Sequence, residues 1–472
     1  MPLHPAERLL LAVICAHLLF VAWAFGGTRT WTMPISLGFG VLEILIALWP
    51  RNYAGKYVSS GGDFRLLTWP KLLRFPIFWL GLLLIALVVT QALNWRWLYE
   101  RERGMWWIEL RPYTDWLPTS VKAPFNVGGP WPVAMVFTTA WLLVCSAWIG
   151  FTRRRTLQIL LAVVTTCGFV LGLTGLVQRL SGTNKLLWLV KIDYAAFFAS
   201  FIYKNHAGAY LNLTLAACVG LAAWFMTRRT VRHERSSPAA VFVFIAVAIA
   251  ISVLFTYSRG ALALTLAFLG LAAIGGAVIF LRQPSATRRW PVVLLIAVFF
   301  VGFAALGLRT KPAKLAWERL QTLSEQSNEG FQTREFARKT TVEMFSEFWP
   351  RGAGAGCFQF HFREYQKTRP ELGPTTGRYP VKWEHAHCDL LQFPLELGLA
   401  GTVFLGLMLG YWLLRFVRSG AWKNPVSLSL FAGCGLLLAH AWLDLVFQSP
   451  AILLLWCLYW PVMIRWAETD KG

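Results

Sequence analysis

The sequence predicts an all-α integral membrane protein with about twelve transmembrane helices and a large, partly helical loop on one side of the membrane. Of its 472 residues, 56% are hydrophobic and 14% are charged, whereas a soluble globular protein carries about 25% charged residues. This composition excludes an ordinary soluble enzyme. It also excludes a disordered chain, which requires low hydrophobicity. The 25 tryptophans are consistent with aromatic belts at the membrane interfaces.

Segments that are apolar enough to cross a bilayer, which takes roughly 20 residues, recur along the whole chain. They are residues 8–26, 33–49, 76–95, 131–151, 157–178, 206–226, 239–257, 260–281, 291–308, 394–414, 427–446 and 450–466. Arg8 stands at the start of the first segment, which lacks a small-residue cleavage site. We therefore interpret that segment as a membrane anchor rather than a removed signal peptide.

The net charge of +22 has a different meaning in a membrane protein than in a soluble one, where it would suggest nucleic-acid binding. Clusters of Lys and Arg occupy alternate loops, at residues 51–74, 153–155, 228–235, 282–289 and 415–423. By the positive-inside rule these loops are cytoplasmic, and both termini are predicted to lie on the same side. The basic residues on the opposite side then indicate an anionic partner, and no nucleic acid is expected.

One loop, from Arg309 to about Phe393, is too long for a simple connection and too polar for the bilayer. Long loops in compact proteins are usually functional. We therefore divide the chain into helices over 1–308, a large external loop over 309–393 that is expected to be functional, and helices with a cytoplasmic tail over 394–472. Within the loop, an apolar spacing near 3.6 residues predicts an amphipathic helix over 331–348. The RGAGAGCF sequence that follows it is a Gly-rich turn.

Two other external segments precede this loop. Residues 96–130 are rich in Trp and in charges of both signs. The aromatic segment 179–205 is predicted to lie partly in the membrane interface.

Several cations lie on the external side, where a membrane protein should have few. Arg179 follows the fifth span, Lys204 precedes the sixth, and Arg259 lies in the tight turn TYSRG. The guanidinium group of Arg259 has two possible roles. It either extends to the interface and pairs with a lipid phosphate, or it binds an anionic ligand in a fixed position, since its planar fork matches phosphate oxygens. In the loop, Arg334 and Arg338 are four residues apart and thus share a helix face. Together these residues predict a convergent cationic site.

Two histidines, His385 and His387, stand where the loop returns to the membrane. A neutral imidazole there can accept a proton from a hydroxyl group near neutral pH, and a purely structural role is the alternative. With Glu384 and Asp389 the pair also suggests a metal site. No third ligand has a convincing spacing, so we expect no metal.

Other polar groups on or near the external side have less specific readings. His206 and His440 are interpreted first as packing or hydrogen-bonding groups in their helices. Cys357 and Cys388 both fall in the external loop and could pair in an oxidising compartment, which the sequence leaves open.

Four sequence blocks, taken in this order, resemble the O-antigen ligase and O-antigen polymerase superfamily of multi-spanning membrane glycosyltransferases. The blocks are YKNHAGAYLNLTL (203–215), FTYSRGALALTLAFLG (255–270), TREFARKTTVEMFSEFWPRGAGAGCFQFHFREY (333–365), and His387-Cys388 followed after nine residues by Gly398-Leu399-Ala400-Gly401. Cys388 departs from the family pattern, which usually has Asn, Ser or Gln after the histidine.

This resemblance implies a GT-C-like fold and a reaction on the periplasmic face of the bacterial inner membrane. A glycan carried by undecaprenyl diphosphate is transferred to an acceptor hydroxyl, without a cofactor or a metal. The acceptor is lipid A–core in a ligase, a growing glycan in a polymerase, or a protein side chain in an O-oligosaccharyltransferase. By motif, His387 is the general base, and Arg259 and Arg334 bind the diphosphate. The further expected substrate-binding residues are Arg338, Lys204, His206, Arg179 and His385.

A secondary transporter is the alternative from another class, because about twelve spans is common among transporters. Transporters bind substrate near the membrane midplane, on broken helices. In this sequence the midspan positions are apolar, with Glu43 as a rare acidic exception, and the unusual polar residues gather at one membrane face. That distribution favours an interfacial enzyme over a transporter and over an inactive glycan-binding relative.

Overall fold

The computed structural model describes residues 2–57, 63–103, 105–192, 197–232, 237–281, 328–374 and 381–469. Over these residues the protein is a helical, multi-pass membrane protein with a few short strands. Nine of the described helices are long and apolar enough to cross a membrane, and two more apolar helices have 17 residues each. Each of them coincides with one predicted span. The remaining predicted span, 291–308, lies outside the described residues.

The helices are numbered here in chain order over the described residues. They are α1 (Pro5–Trp23), α2 (Thr32–Leu48), α3 (Thr68–Leu73), α4 (Pro76–Leu93), α5 (Pro130–Gly150), α6 (Arg154–Leu180), α7 (Lys204–Arg232), α8 (Ala239–Phe255), α9 (Arg259–Leu281), α10 (Asn328–Phe348), α11 (Phe358–Lys367), α12 (Asp389–Ser419), α13 (Pro425–Leu443) and α14 (Pro450–Glu468). The strands are β1 (Arg51–Tyr53), β2 (Phe64–Leu66), β3 (Trp95–Glu102), β4 (Met105–Leu110), β5 (Ser120–Lys122), β6 (Lys185–Leu186) and β7 (Val190–Lys191).

Proline marks the start of several spans. Pro5, Pro76, Pro130 and Pro450 begin α1, α4, α5 and α14. At this position the missing N–H removes no hydrogen bond, and the fixed φ angle already suits a helix. These starts could therefore be placed from the sequence to within a few residues.

The chain forms two compact units. The first contains residues 1–157, 329–419 and 441–472, and the second contains residues 158–328 and 420–440. In the first unit, Glu7 near the start of α1 is buried and accepts hydrogen bonds from Thr152 N at 2.8 Å and Thr156 Oγ1 at 2.6 Å. The N-terminal ends of α1 and α6 therefore lie at the same membrane face, as alternating spans require.

A small folded region stands beside the spans of the first unit. It contains α10, which confirms the predicted amphipathic helix over 331–348, and a three-stranded sheet in the order β4-β3-β5. The sheet lies in the Trp-rich segment 96–130. Trp97 and Tyr99 alternate along β3 and pack with Phe360 of α11. This short sheet supplements the predicted all-α architecture.

In the second unit, small residues bring the helices close together. A Cβ atom added to Gly168 of α6 would lie 2.2 Å from Thr214 Oγ1, and one added to Gly172 would lie 2.5 Å from Ser252 Oγ. Small residues spaced by four are typical of close helix packing in membranes. The external segment 179–205 of this unit contains the β6–β7 hairpin, with residues 193–196 outside the described part.

Candidate active site

The two predicted histidines lie at the start of α12, in the first unit. His387 has a φ angle of +51°, which is uncommon for a residue other than glycine and often marks a functional constraint. Asp389 holds this segment in place because its carboxylate accepts hydrogen bonds from Phe447 N at 2.7 Å and from Gln448 Nε2 at 3.2 Å. The chain that follows α13 is thereby fixed against the first turn of α12.

This arrangement places His387 beside a carboxylate. Its Nδ1 lies 3.0 Å from Oδ1 of Asp444, whose side chain is 3% exposed. A carboxylate accepts hydrogen bonds, so the Nδ1–H group donates to it and Nε2 is left as a proton acceptor. The ring of Trp383 meets the imidazole edge to face at 5.6 Å. His387 is therefore held in the orientation and tautomer that a general base requires.

The predicted cations of the loop lie on α10. Arg334 NH1 is 3.7 Å from Asp444 Oδ2, and its side chain is 38% exposed. The same buried carboxylate therefore contacts the predicted base and a predicted diphosphate ligand. Arg338 forms an ion pair with Glu335 of its own helix and lies close enough to Cys388 to affect its thiol electrostatically.

The other loop histidine has a different partner. His385 Nδ1 accepts a hydrogen bond of 3.1 Å from the amide of Gln392, and the same amide donates to Glu396 at 3.0 Å. His385 is thus part of a network that runs along the first turns of α12. The structure brings His387 and Arg334 into contact with Asp444. His385 is near them because it precedes His387 by two residues.

The predicted Gly-rich turn is confirmed, with left-handed φ angles at Gly352, Gly354 and Gly356. Its backbone is held by the buried carboxylate of Glu396, which accepts hydrogen bonds from Gly356 N at 2.9 Å and Phe358 N at 3.1 Å. Glycine suits such positions because it has no Cβ atom to clash with the backbone.

The turn docks onto an interruption in α12. Gly398 has φ +67° and ψ −167°, so the backbone leaves the helical path. Leu399 N then donates to Pro350 O at 2.8 Å, and Ala353 N donates to Leu395 O at 2.8 Å. The Gly-rich turn is therefore joined to α12 by backbone hydrogen bonds on both sides of the interruption.

Arg259 lies in the second unit, at the first residue of α9. Tyr257, with φ +56°, makes the sharp turn from α8, and Ser258 Oγ accepts a hydrogen bond from Ala261 N at 3.3 Å. Among the described residues, Arg259 forms no ion pair. His440 lies behind the turn, since a Cβ atom at Gly260 would be 3.2 Å from its Nε2.

The remaining predicted residues also belong to the second unit. Arg179 donates a hydrogen bond of 2.8 Å to Phe197 O and lies 5.1 Å from the ring centre of Tyr257, so it stands beside the Arg259 turn. It also lines a cavity of about 140 Å³. Lys204 begins α7, and His206 is buried one half-turn later against the ring of Tyr203 at 5.0 Å.

The two loop cysteines are free thiols and both are buried. Cys357 Sγ accepts a hydrogen bond from Val121 N at 3.3 Å, and burial raises the pKa of its thiol. The suggested disulfide is therefore not formed. Within the described parts of the chain, no group of three or more His, Cys, Asp or Glu residues could hold a metal ion.

Sequence reasoning missed two acidic residues of this site, Asp444 and Glu396. Each is a buried carboxylate within or beside an apolar segment. An ionisable residue in such a place is costly and usually has a specific partner, so this signal could have identified both.

Residues 244–406 match the family model described as O-antigen ligase, Wzy_C. Among curated proteins, none matches the chain. The matched range contains predicted residues from both units, namely Arg259, Arg334, Arg338, His385 and His387. Asp444 lies beyond its end, so the structure alone connects this residue with the site.

Proposed function

From the membership of residues 244–406 in the O-antigen ligase family, we propose that this protein transfers a glycan from undecaprenyl diphosphate to an acceptor hydroxyl. The family supports a membrane enzyme of the O-antigen ligase or polymerase type. We place the reaction on the periplasmic face of the bacterial inner membrane, with both termini in the cytoplasm. The distribution of basic residues among the loops supports this orientation.

The observation that carries the proposal is the pairing of His387 with Asp444 at 3.0 Å. Asp444 holds the Nδ1–H group, and His387 Nε2 takes the proton of the acceptor hydroxyl. Such general base catalysis contributes typically about 10²–10⁴-fold. The acceptor oxygen forms the new bond to the anomeric carbon while the bond to the diphosphate oxygen breaks, so a single displacement inverts the configuration.

Negative charge develops on the departing diphosphate, and fixed cations stabilise it most effectively in a site that excludes water. Arg334 supports this role by its position beside Asp444. Arg259 is proposed as a diphosphate ligand on the family block alone, and Arg338, Lys204, His206, Arg179 and His385 as further substrate contacts. The cations supply the charge stabilisation that a metal supplies in other transferases, so we propose a metal-independent reaction.

Glu43 is the acidic midspan residue that a transporter could use to bind its substrate. Within the first unit, this buried carboxylate is 2.7 Å from His17 Nδ1, and His17 Nε2 is 2.6 Å from Ser36 Oγ. The cavity that Ser36 lines has a volume of about 10 Å³, which is room for a single water. This polar cluster therefore favours a structural role, and the enzyme remains the better proposal.

Transfer by the purified protein from a lipid-linked glycan to candidate acceptors tests the proposal. His387→Ala should lower transfer by about 10²–10⁴-fold while membrane insertion is unchanged. Glu384→Gln is the matched control, because this exposed carboxylate lies three residues away and its side chain forms no hydrogen bond or ion pair with a described residue. Full activity of His387→Ala would exclude His387 as the base. A loss of activity on treatment with a chelator would contradict a metal-independent reaction.

The acceptor class is decided by the glycans of a deletion strain. Loss of polymer attachment with the lipid-linked polymer retained identifies a ligase. Single repeat units on the acceptor identify a polymerase, and an unglycosylated protein identifies an O-oligosaccharyltransferase.

A further inference from the structure

A cavity of about 450 Å³ lies in the first unit at the opposite membrane face from the loop, where α14 ends. Its walls come from α3, the end of α5, α12 and α14. Among the described residues that line it, Lys71, Arg74, Arg415 and Arg465 are cationic and Glu468 is acidic. This excess of positive charge is independent of the site proposed for glycan transfer.

Part of this charge has a structural explanation. The last carbonyl groups of a helix lack partners in the helix and carry partial negative charge. Arg465 donates to Trp148 O at 2.8 Å, and Lys71 donates to Ile149 O at 3.3 Å, so both cap the end of α5.

The other two cations have no such role. Among the described residues, the side chain of Arg74 forms no hydrogen bond or ion pair, and Arg415 pairs with Glu468, the acid that also pairs with Arg465. In addition, the buried Nε atoms of Arg415 and Arg465 have no hydrogen-bond partner in the described part of the chain. One carboxylate is therefore shared by two guanidinium groups, and donors remain for an anion.

The surroundings indicate an anion with an apolar portion. Leu67 lines the cavity and is 58% exposed, and Leu73 on the same short helix is 49% exposed. Exposed leucines on a short helix beside transmembrane segments are suited to the apolar edge of a lipid leaflet. An anionic group inside the cavity would thus be adjacent to the acyl chains of the surrounding leaflet. Basic pockets between transmembrane helices are known to bind lipid phosphate groups.

We propose that this cavity binds the phosphate group of an anionic lipid and that Arg74 and Arg415 hold this group. The lipid belongs to the leaflet on this side of the membrane, which the positive-inside rule predicts to be the cytoplasmic side. The planar forks of two arginines match phosphate oxygens. Soluble phosphate offers the same chemistry from another source.

The lowered pKa of the Lys71 amine is consistent with an anionic ligand in this cavity. Burial lowers the pKa of this amine from its usual 10.5 to about 7, assisted by the positive charges of Arg465 and Arg51 and opposed by Glu468 and Glu7. A phosphate group in the cavity would stabilise the protonated amine and so strengthen its own binding.

The test uses the purified full-length protein in neutral detergent, titrated with phosphatidylglycerol or with zwitterionic phosphatidylcholine, and native mass spectrometry to count retained lipids. The variants are Arg74→Gln and Arg415→Gln. Arg418→Gln is the matched control, because Arg418 is an exposed cation on the same helix that does not line the cavity. Arg74→Gln removes no side-chain hydrogen bond or ion pair between described residues, so it should fold normally.

We expect phosphatidylglycerol to bind about tenfold more tightly than phosphatidylcholine. Each cavity variant should weaken it about fivefold, and Arg418→Gln by less than about twofold. If millimolar inorganic phosphate displaces phosphatidylglycerol, the cavity is a phosphate site that takes its ligand from solution. If phosphatidylglycerol stays bound, the ligand of the cavity is the lipid. Equal retention of the two lipids without phosphate binding, or equal weakening by all three variants, would overturn the proposal.

Discussion

Asp444→Asn tests whether the carboxylate next to His387 acts through the imidazole. Asp444 is 3% exposed and accepts a hydrogen bond of 3.0 Å from His387 Nδ1. An amide at this position accepts less strongly, and its NH₂ group can favour the wrong tautomer. A hydrogen bond to a charged group contributes about 1.5–3 kcal/mol, which corresponds to about 10–150-fold in rate. We therefore expect kcat for glycan transfer to fall by roughly this factor.

The assay measures kcat and KM for the lipid-linked donor with purified variants. For a positioning residue, kcat falls while KM for the donor changes by less than about threefold. Glu384→Gln, which also converts a carboxylate to an amide close to His387, should leave both constants unchanged.

A double variant makes the test decisive. If Asp444 acts through His387, then His387→Ala with Asp444→Asn should be no slower than His387→Ala alone, because residues that act as a unit are not additive. Full activity of Asp444→Asn, or losses that multiply in the double variant, would refute the positioning role.

Three further predictions concern the second unit and the loop region. Arg259→Lys should raise KM for the donor about tenfold, because a point ammonium lacks the guanidinium fork, and unchanged kinetics would exclude a phosphate clamp there. Burial lowers the pKa of His361 to about 4, so the imidazole binds a proton more readily in the unfolded protein than in the folded one. About 3 kcal/mol of folding stability should therefore be lost as the pH falls from 6.5 towards 4. Thermal unfolding of His361→Phe should lack this pH dependence, and an identical pH profile in the variant would contradict the prediction. Gly398→Ala should lower the unfolding midpoint and impair transfer, since a Cβ atom would lie 2.4 Å from Pro350 O at a φ angle of +67°. Gly406→Ala, where a Cβ atom meets nothing within 4 Å, is its control and should behave as the unchanged protein.

Much of the site's composition was predictable from residue types. Arg259, Arg334 and His387 were singled out because charged and titratable groups beside apolar spans are costly and therefore informative. The structure places Arg334 and His387 around Asp444, while their roles and that of Arg259, which the family resemblance implied, stay predictions. The helix over 331–348 followed from its apolar period. The strand pair over 95–110 was missed, although aromatic residues stand at every second position from Trp95 through Trp97 to Tyr99, because the tryptophans were interpreted only as interfacial anchors.

The sequence by itself determined the membrane spans, because hydropathy summed over some 20 consecutive residues is a local property. It also determined which charged and titratable residues stand beside those spans. Only the tertiary structure decided which of them meet: Asp444 contacts His387 across 57 residues of sequence, and Glu396 holds Gly356 N across 40. A hydrogen bond requires two atoms within about 3 Å, and the path of the backbone between the two residues sets that distance. No local pattern in the sequence encodes such a path.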